Sequence, residues 1–164
     1  MRLVLALRTR PGQDHSAELV AAEAAARGAG IADVQVHGRI EAMTDALAAA
    51  DVVLFNPLRL DGGKADVPLT VLEALATGRP VVATKLPQLA ALSDVLVQVP
   101  AGAAAEASEA VRLLLTEPVA WQERSQSGRD AVERRFSGKQ MCRAYAEIYA
   151  ELLDVHARRL ASHD

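Results

Sequence analysis

Three stretches of this chain are apolar almost without interruption: Leu3-Val4-Leu5-Ala6-Leu7, Val52-Val53-Leu54-Phe55 and Pro80-Val81-Val82-Ala83-Thr84. A strand with one face in water alternates apolar and polar residues. A strand covered on both faces does not alternate, and such strands belong to parallel sheets flanked by helices. Val95-Leu96-Val97-Gln98-Val99 is a near match, and Val34-Gln35-Val36 is a shorter one. Between these runs lie helical patterns. Ser16 to Arg27 is Ala-rich and ends at Gly28; Glu41 to Ala50 follows; Pro68 to Ala76 has a proline near its first turn and Gly78 just past its end. Strands alternating with helices predict an α/β fold, a single Rossmann-like, doubly wound parallel sheet of about five strands.

The last third is helical. Ala105, Val111 and Leu114 recur at helical spacing, and Thr116-Glu117-Pro118 ends that helix and starts the next, which runs towards Arg135. Ser137 with Gln140 three residues on is a capping-box signature. Behind it Met141, Tyr145, Ile148, Leu152 and Val155 form one apolar stripe. The 164 residues are read as one domain, 1–164, with a strand-helix core at 1–100 and C-terminal helices at 103–160.

Composition narrows the function classes. Net charge is −3 and there is no long basic run, so a cationic nucleic-acid face is not expected. Aromatic residues make up 3%, too few for a stacking platform for single strands. The single cysteine, Cys142, has no internal disulfide partner, which fits a reducing, cytoplasmic setting. No apolar run reaches membrane-spanning length. His15, His37, His156 and His163 are not at metal-ligand spacing, so neither a metal nor another cofactor is expected.

Right-handed crossovers bring the C-terminal ends of parallel strands to one edge, where ligands bind. The loops that matter are therefore Arg8 to Asp14, His37 to Ile40, Asn56 to Val67 and Lys85 to Gln88. The third runs through Gly62-Gly63 straight into the Pro68 helix. The first N–H groups of a helix have no helical partners and, with the helix dipole, suit an anion such as a diphosphate. Pro68 has no N–H, so Leu69 and Thr70 are the donors. Glu73 lies one turn into the helix, and a carboxylate there can accept two hydrogen bonds from a vicinal diol such as a ribose. The same string also allows a plain surface turn, with Glu73 merely complementing the helix dipole.

The longer pattern separates these readings. Ala50-Asp51-Val52-Val53-Leu54-Phe55-Asn56-Pro57 resembles the "AADVFVLPS" strand of retaining GT-B glycosyltransferases of the group 1, or family 4, type. Pro68-Leu69-Thr70-Val71-Leu72-Glu73-Ala74-Leu75-Ala76-Thr77-Gly78-Arg79-Pro80-Val81-Val82-Ala83-Thr84 resembles their "LEAMACGKPVVAT" block, in the same order and at the same spacing. Val36-His37-Gly38-Arg39-Ile40 is similar to the "FLGRV" turn, Val99-Pro100-Ala101-Gly102 to "VPPGD", and Phe136-Ser137 through Leu153 to the terminal "FSW…Y…YEELL" helix. The resemblance spans nearly the whole chain.

It implies the C-terminal domain of such an enzyme, which binds a nucleotide-diphosphate sugar donor. Leu69 and Thr70 would hold the diphosphate. Glu73 matches the second glutamate of the family's E-x7-E motif, which holds the ribose. The first glutamate falls on Ala65, a departure; Lys64, Asp66, Pro68 and Leu69 instead fit a "K-x-D-x-P-L" variant. Gly38, Arg39 and Ile40 would contribute to the nucleobase pocket, with a solvated turn as the alternative for Arg39. The family's domain begins one strand earlier, with an Arg and a Lys that neutralise the diphosphate. Without that strand, the five here would take the flavodoxin-like order 2-1-3-4-5, and Arg8 or Arg10 would approach the diphosphate; the alternative is two ordinary strand-end arginines. Transfer would need a separate N-terminal half, or a homodimer in its place, and the catalytic residues are not assigned. The competing reading is a non-catalytic module that binds nucleotide sugar or a protein partner. A phosphoacceptor domain would need an acidic cluster at the strand ends, and Asp51 and Asp61 do not form one.

Overall fold

The computed structural model describes residues 2–6, 14–38, 40–60 and 67–161. The chain divides into two compact units, Met1–Ala46 and Leu47–Asp164. In the first, β1 (Arg2–Ala6) pairs in parallel with β2 (Asp33–His37), joined by helix α1 (Ser16–Gly28). Gly28 is the last helical residue rather than the cap. Gly30, at φ +87°, makes the left-handed turn, and Ile31 N–H then donates to the Ala26 carbonyl. Helix α2 (Met43–Ala48) follows, shorter than the pattern from Glu41 to Ala50 suggested.

The second unit is a three-stranded parallel sheet ordered β3 (Val53–Phe55), β4 (Val81–Thr84), β5 (Val97–Val99). The pairings β2-β1 and β3-β4-β5 are segments of the order 2-1-3-4-5, and the described residues form them as two sheets rather than one. β4 lies between its neighbours and is buried along its whole length, as its unbroken apolar run requires. Val82, Val99, Ala107 and Leu114 form a core beneath the sheet. β5 is shorter than the run Val95–Val99. Leu92 accepts from the amides of Val95 and Leu96 and closes a turn there. That turn ends a 3-10 helix, Pro87–Leu92, which was not legible in the loop Lys85–Gln88; its Leu89 and Leu92 are fully buried.

Three helices complete the unit: α4 (Ala104–Thr116), α5 (Pro118–Phe136) and α6 (Gly138–Ala161). The break at Glu117-Pro118 is where the sequence puts it. Helix α5 packs on α3 (Leu69–Ala76) and is tied down by arginines. Arg124 donates to the Asp94 carbonyl at 3.2 Å, and Arg135 donates to the Ala91 carbonyl at 2.7 Å and to both Asp94 carboxylate oxygens. Arg135 holds the Asp94 carboxyl below the usual carboxylate range by that hydrogen bond. Of the capping box, Gln140 N–H reaches Ser137 Oγ at 3.4 Å, and among the described residues the reciprocal Gln140 side-chain bond is not made. The stripe on α6 is exposed at Met141, Tyr145, Ile148, Leu152 and Val155.

Candidate functional site

Helix α3 carries the residues expected to bind a nucleotide, and its two ends are built differently. Its C-terminus is locked. Thr77 caps it, Gly78 takes φ +72°, Gly78 N–H donates to Leu75 and Arg79 N–H to Ala74, both at 2.9 Å. This is the Schellman arrangement, which satisfies the last carbonyls and delivers the chain straight into Pro80 and β4. Gly78 is there because a left-handed residue is needed and because its Cβ position is filled: an added methyl would lie 2.5 Å from an Arg129 nitrogen. On the helix face, Val71, Ala74 and Leu75 are fully buried.

The N-terminus of α3 is open by contrast. Pro68 occupies the cap position with no side-chain cap bond. Its carbonyl accepts from Val71 at 3.0 Å and Leu72 at 3.3 Å, while the amides of Leu69 and Thr70 have no partner among the described residues. Among the described residues no acidic side chain sits in the first turn to compete for those donors or for the positive end of the dipole. Because β3 and β4 are parallel and α3 connects them, α3 runs back against the strands. Its start therefore lies at their C-terminal edge. Glu73 is half-buried one turn further on, and among the described residues its carboxylate makes no ion pair or side-chain hydrogen bond. A carboxylate with all its lone pairs open can take a diol.

The same edge holds a contact that reading along the chain missed. Phe55 stands opposite Ala83 in the ladder, so one step further Asn56 stands beside Thr84. Thr84 is fully buried, the one polar side chain that is buried among the described residues, and its Oγ1 donates to Asn56 Oδ1 at 2.6 Å. In the sequence Asn56 is only the residue that stops a strand. The usable signal was a lone hydroxyl ending the apolar run Val81-Val82-Ala83-Thr84, together with an amide ending the neighbouring run.

Of the remaining expected site residues, Gly38 follows β2 at its C-terminal end, half-buried, in the first unit. Arg8, Arg10, Arg39, Lys64 and Asp66 lie outside the described residues, as does Ala65. Among the described residues no three His, Cys, Asp or Glu side chains group as a metal site, and no helix is long and apolar enough to cross a membrane. The open cavity beside Asp51 and Trp121 is at the N-terminal end of β3, the opposite edge from α3's start.

Solved structures share this architecture. Sucrose-phosphate synthase from Thermosynechococcus elongatus superposes with a TM-score of 0.71 at 21% identity, over 94% of this chain and 39% of that one. HepE from Anabaena, in complex with UDP and glucose, gives 0.74 at 15% identity, over 92% of this chain and 40% of that one. TarM gives 0.62 at 12% identity, over 90% of this chain and 34% of that one. At such identities the likeness is one of fold, the Rossmann-like domain of GT-B enzymes, and the chain spans roughly two-fifths of the first two solved chains. No curated protein matches the sequence. The family described as "Glycosyl transferases group 1" matches residues 9–117, more than half of the chain. This chain belongs to the group 1 glycosyltransferase family.

Proposed function

We propose that the chain binds a nucleotide-diphosphate sugar as the donor-side domain of a retaining glycosyltransferase. The observation that carries this is the start of α3: two amides, Leu69 and Thr70, and a carboxylate, Glu73, one turn behind them, all without a partner among the described residues. In this reading the amides take the diphosphate and Glu73 takes the ribose diol. Family membership supports it, and so does the UDP bound to HepE, a protein of like fold. Gly38 and Arg39 are read as lining the base, with Lys64 and Asp66 near the sugar and Arg8 or Arg10 near the diphosphate. Transfer builds positive charge on the sugar and negative charge on the departing diphosphate, and both need groups placed in advance. The wall facing the acceptor is assigned to a separate N-terminal half, with the acceptor undefined and the setting cytoplasmic.

Calorimetry tests the donor site. UDP, GDP and dTDP are titrated into the protein, followed by the 2′-deoxy form of whichever ribonucleotide binds. If Glu73 grips the diol, removing the 2′-hydroxyl weakens binding to the natural protein about tenfold or more, since hydrogen bonds to a charged group carry about 1.5–3 kcal/mol. The same removal then changes little in Glu73→Ala. Equal affinity of the natural protein for the ribo and deoxy forms would refute the role of Glu73. Binding of none of the three would refute the donor site itself.

A further inference from the structure

Asn56 is held in a way that an ordinary exposed asparagine is not. Residues of its kind at strand ends usually turn back and bond their own backbone. Asn56 makes no such bond: its one hydrogen bond among the described residues is the one it accepts from Thr84, at 2.6 Å. Thr84 has no exposure at all, so its hydroxyl must find a partner within the protein. By taking that hydroxyl, Asn56 Oδ1 is engaged and the orientation of the carboxamide is set. The Nδ2 group is left with two N–H donors, no protein partner among the described residues, and a position on an exposed residue. The result is a pair of donors anchored from below by a buried group, at the strand edge where α3 begins.

We propose that Asn56 donates a hydrogen bond to the diphosphate of the bound nucleotide and that Thr84 is the positioning residue that aims it. This rests on the donor-site reading above and adds to it a contact that neither the sequence motif nor the helix start provides. The chemistry suits the ligand. A diphosphate only accepts hydrogen bonds, and the carboxamide, with Oδ1 engaged by Thr84, has its two Nδ2 donors left to offer. The edge it occupies is the one on which Leu69 and Thr70 present their free amides, because the chain leaves β3 through Asn56 and returns through α3 to the neighbouring strand β4.

The test uses UDP and GDP as probes, with uridine and guanosine as controls that lack the diphosphate. Expected for Asn56→Ala is a rise of about tenfold in Kd for the diphosphate that binds, with the nucleoside unaffected. Asn56→Asp, which cannot donate and adds like charge, raises it further, and the excess shrinks with added salt. Thr84→Val has the same shape without the hydroxyl; it weakens diphosphate binding several-fold although Asn56 is intact, while Thr84→Ser restores it. The fluorescence of Trp121 during thermal unfolding checks that each variant is folded, Asn56→Ala included, since that change leaves the buried Thr84 hydroxyl without its acceptor, whereas Asn56→Asp keeps one. A diphosphate Kd that is the same in Asn56→Ala and the natural protein overturns the proposal, as does equal binding by Thr84→Val and Thr84→Ser. These outcomes are distinct from failure of the donor site. Glu73→Ala weakens the nucleoside as well as the diphosphate, whereas a protein that binds neither UDP nor GDP removes both readings together.

Discussion

Replacing Gly128 by alanine sets two effects of opposite sign against each other. Gly128 lies buried inside α5, where that helix packs on α3. A methyl built on it comes to 2.7 Å from Leu75 Cδ2, whereas carbon atoms in good contact are about 3.5–4.0 Å apart. Roughly 1 Å has to be found, and Leu75 has no exposed surface through which to move. Overpacking of this kind costs about 1–3 kcal/mol. Alanine's better helix propensity returns about 1 kcal/mol. The net expectation is destabilisation by about 0–2 kcal/mol, or a fall in Tm of a few degrees for a chain of this size. The context decides the sign. In a Leu75→Val background Cδ2 is gone, and the same Gly128→Ala change keeps its propensity gain and stabilises. Gly28, the last residue of α1, has open space around its Cβ position, so Gly28→Ala is the control for the gain alone. Urea unfolding followed by the fluorescence of the single tryptophan, Trp121, which lies on α5 itself, reads the effect locally. Equal stabilisation by Gly128→Ala in both backgrounds would refute the close packing of α5 on α3 at Leu75.

Gly78→Ala should cost more, because it combines a left-handed backbone at φ +72° with a methyl 2.5 Å from Arg129; about 1–3 kcal/mol is expected from the strained backbone alone, read as a lower urea midpoint. Asp94→Asn tests the pH dependence. The Asp94 carboxyl is held below its ordinary value of 3.8 by Arg135, so its contribution is present above that value and disappears as pH falls through the lower folded one. Asp94→Asn should therefore lower Tm near neutral pH and flatten the acid limb of the stability curve. An identical acid limb would count against the ion pair.

The architecture was legible because burial on both faces leaves a plain mark. The run at Val81–Thr84 has no polar alternation, and β4 is buried from end to end. Gly78 was legible as a helix stop, since few residues other than glycine tolerate φ +72°. What was not legible depends on where elements land in space. Nothing along Pro87–Leu92 has helical periodicity long enough to notice, and the segment is tied to α5, which comes some thirty residues later and brings Arg135 to the Ala91 carbonyl and Arg124 and Arg135 to Asp94. The Asn56–Thr84 contact links positions 28 apart, and only the β3–β4 register makes them neighbours.

These observations tie the proposed binding edge to the core. Leu69, Thr70 and Glu73 have no side-chain tethers of their own among the described residues; their placement comes from the rest of α3. That helix is fixed by Leu75 against Gly128, by the Gly78 turn, and by Arg129, which donates to the Thr77 carbonyl at 3.4 Å. An anion site made of backbone amides gains its strength from being placed before the ligand arrives. A shift of α3 therefore moves its donors together, and Gly128→Ala should raise the Kd for a nucleoside diphosphate even under conditions where the protein stays folded. Asn56 is anchored differently, through Thr84 in the sheet, so its contribution should survive that shift. The extra loss caused by Asn56→Ala should consequently be as large in the Gly128→Ala background as in the natural protein. A smaller loss there would mean that Asn56 takes its place from the helix rather than from the strand.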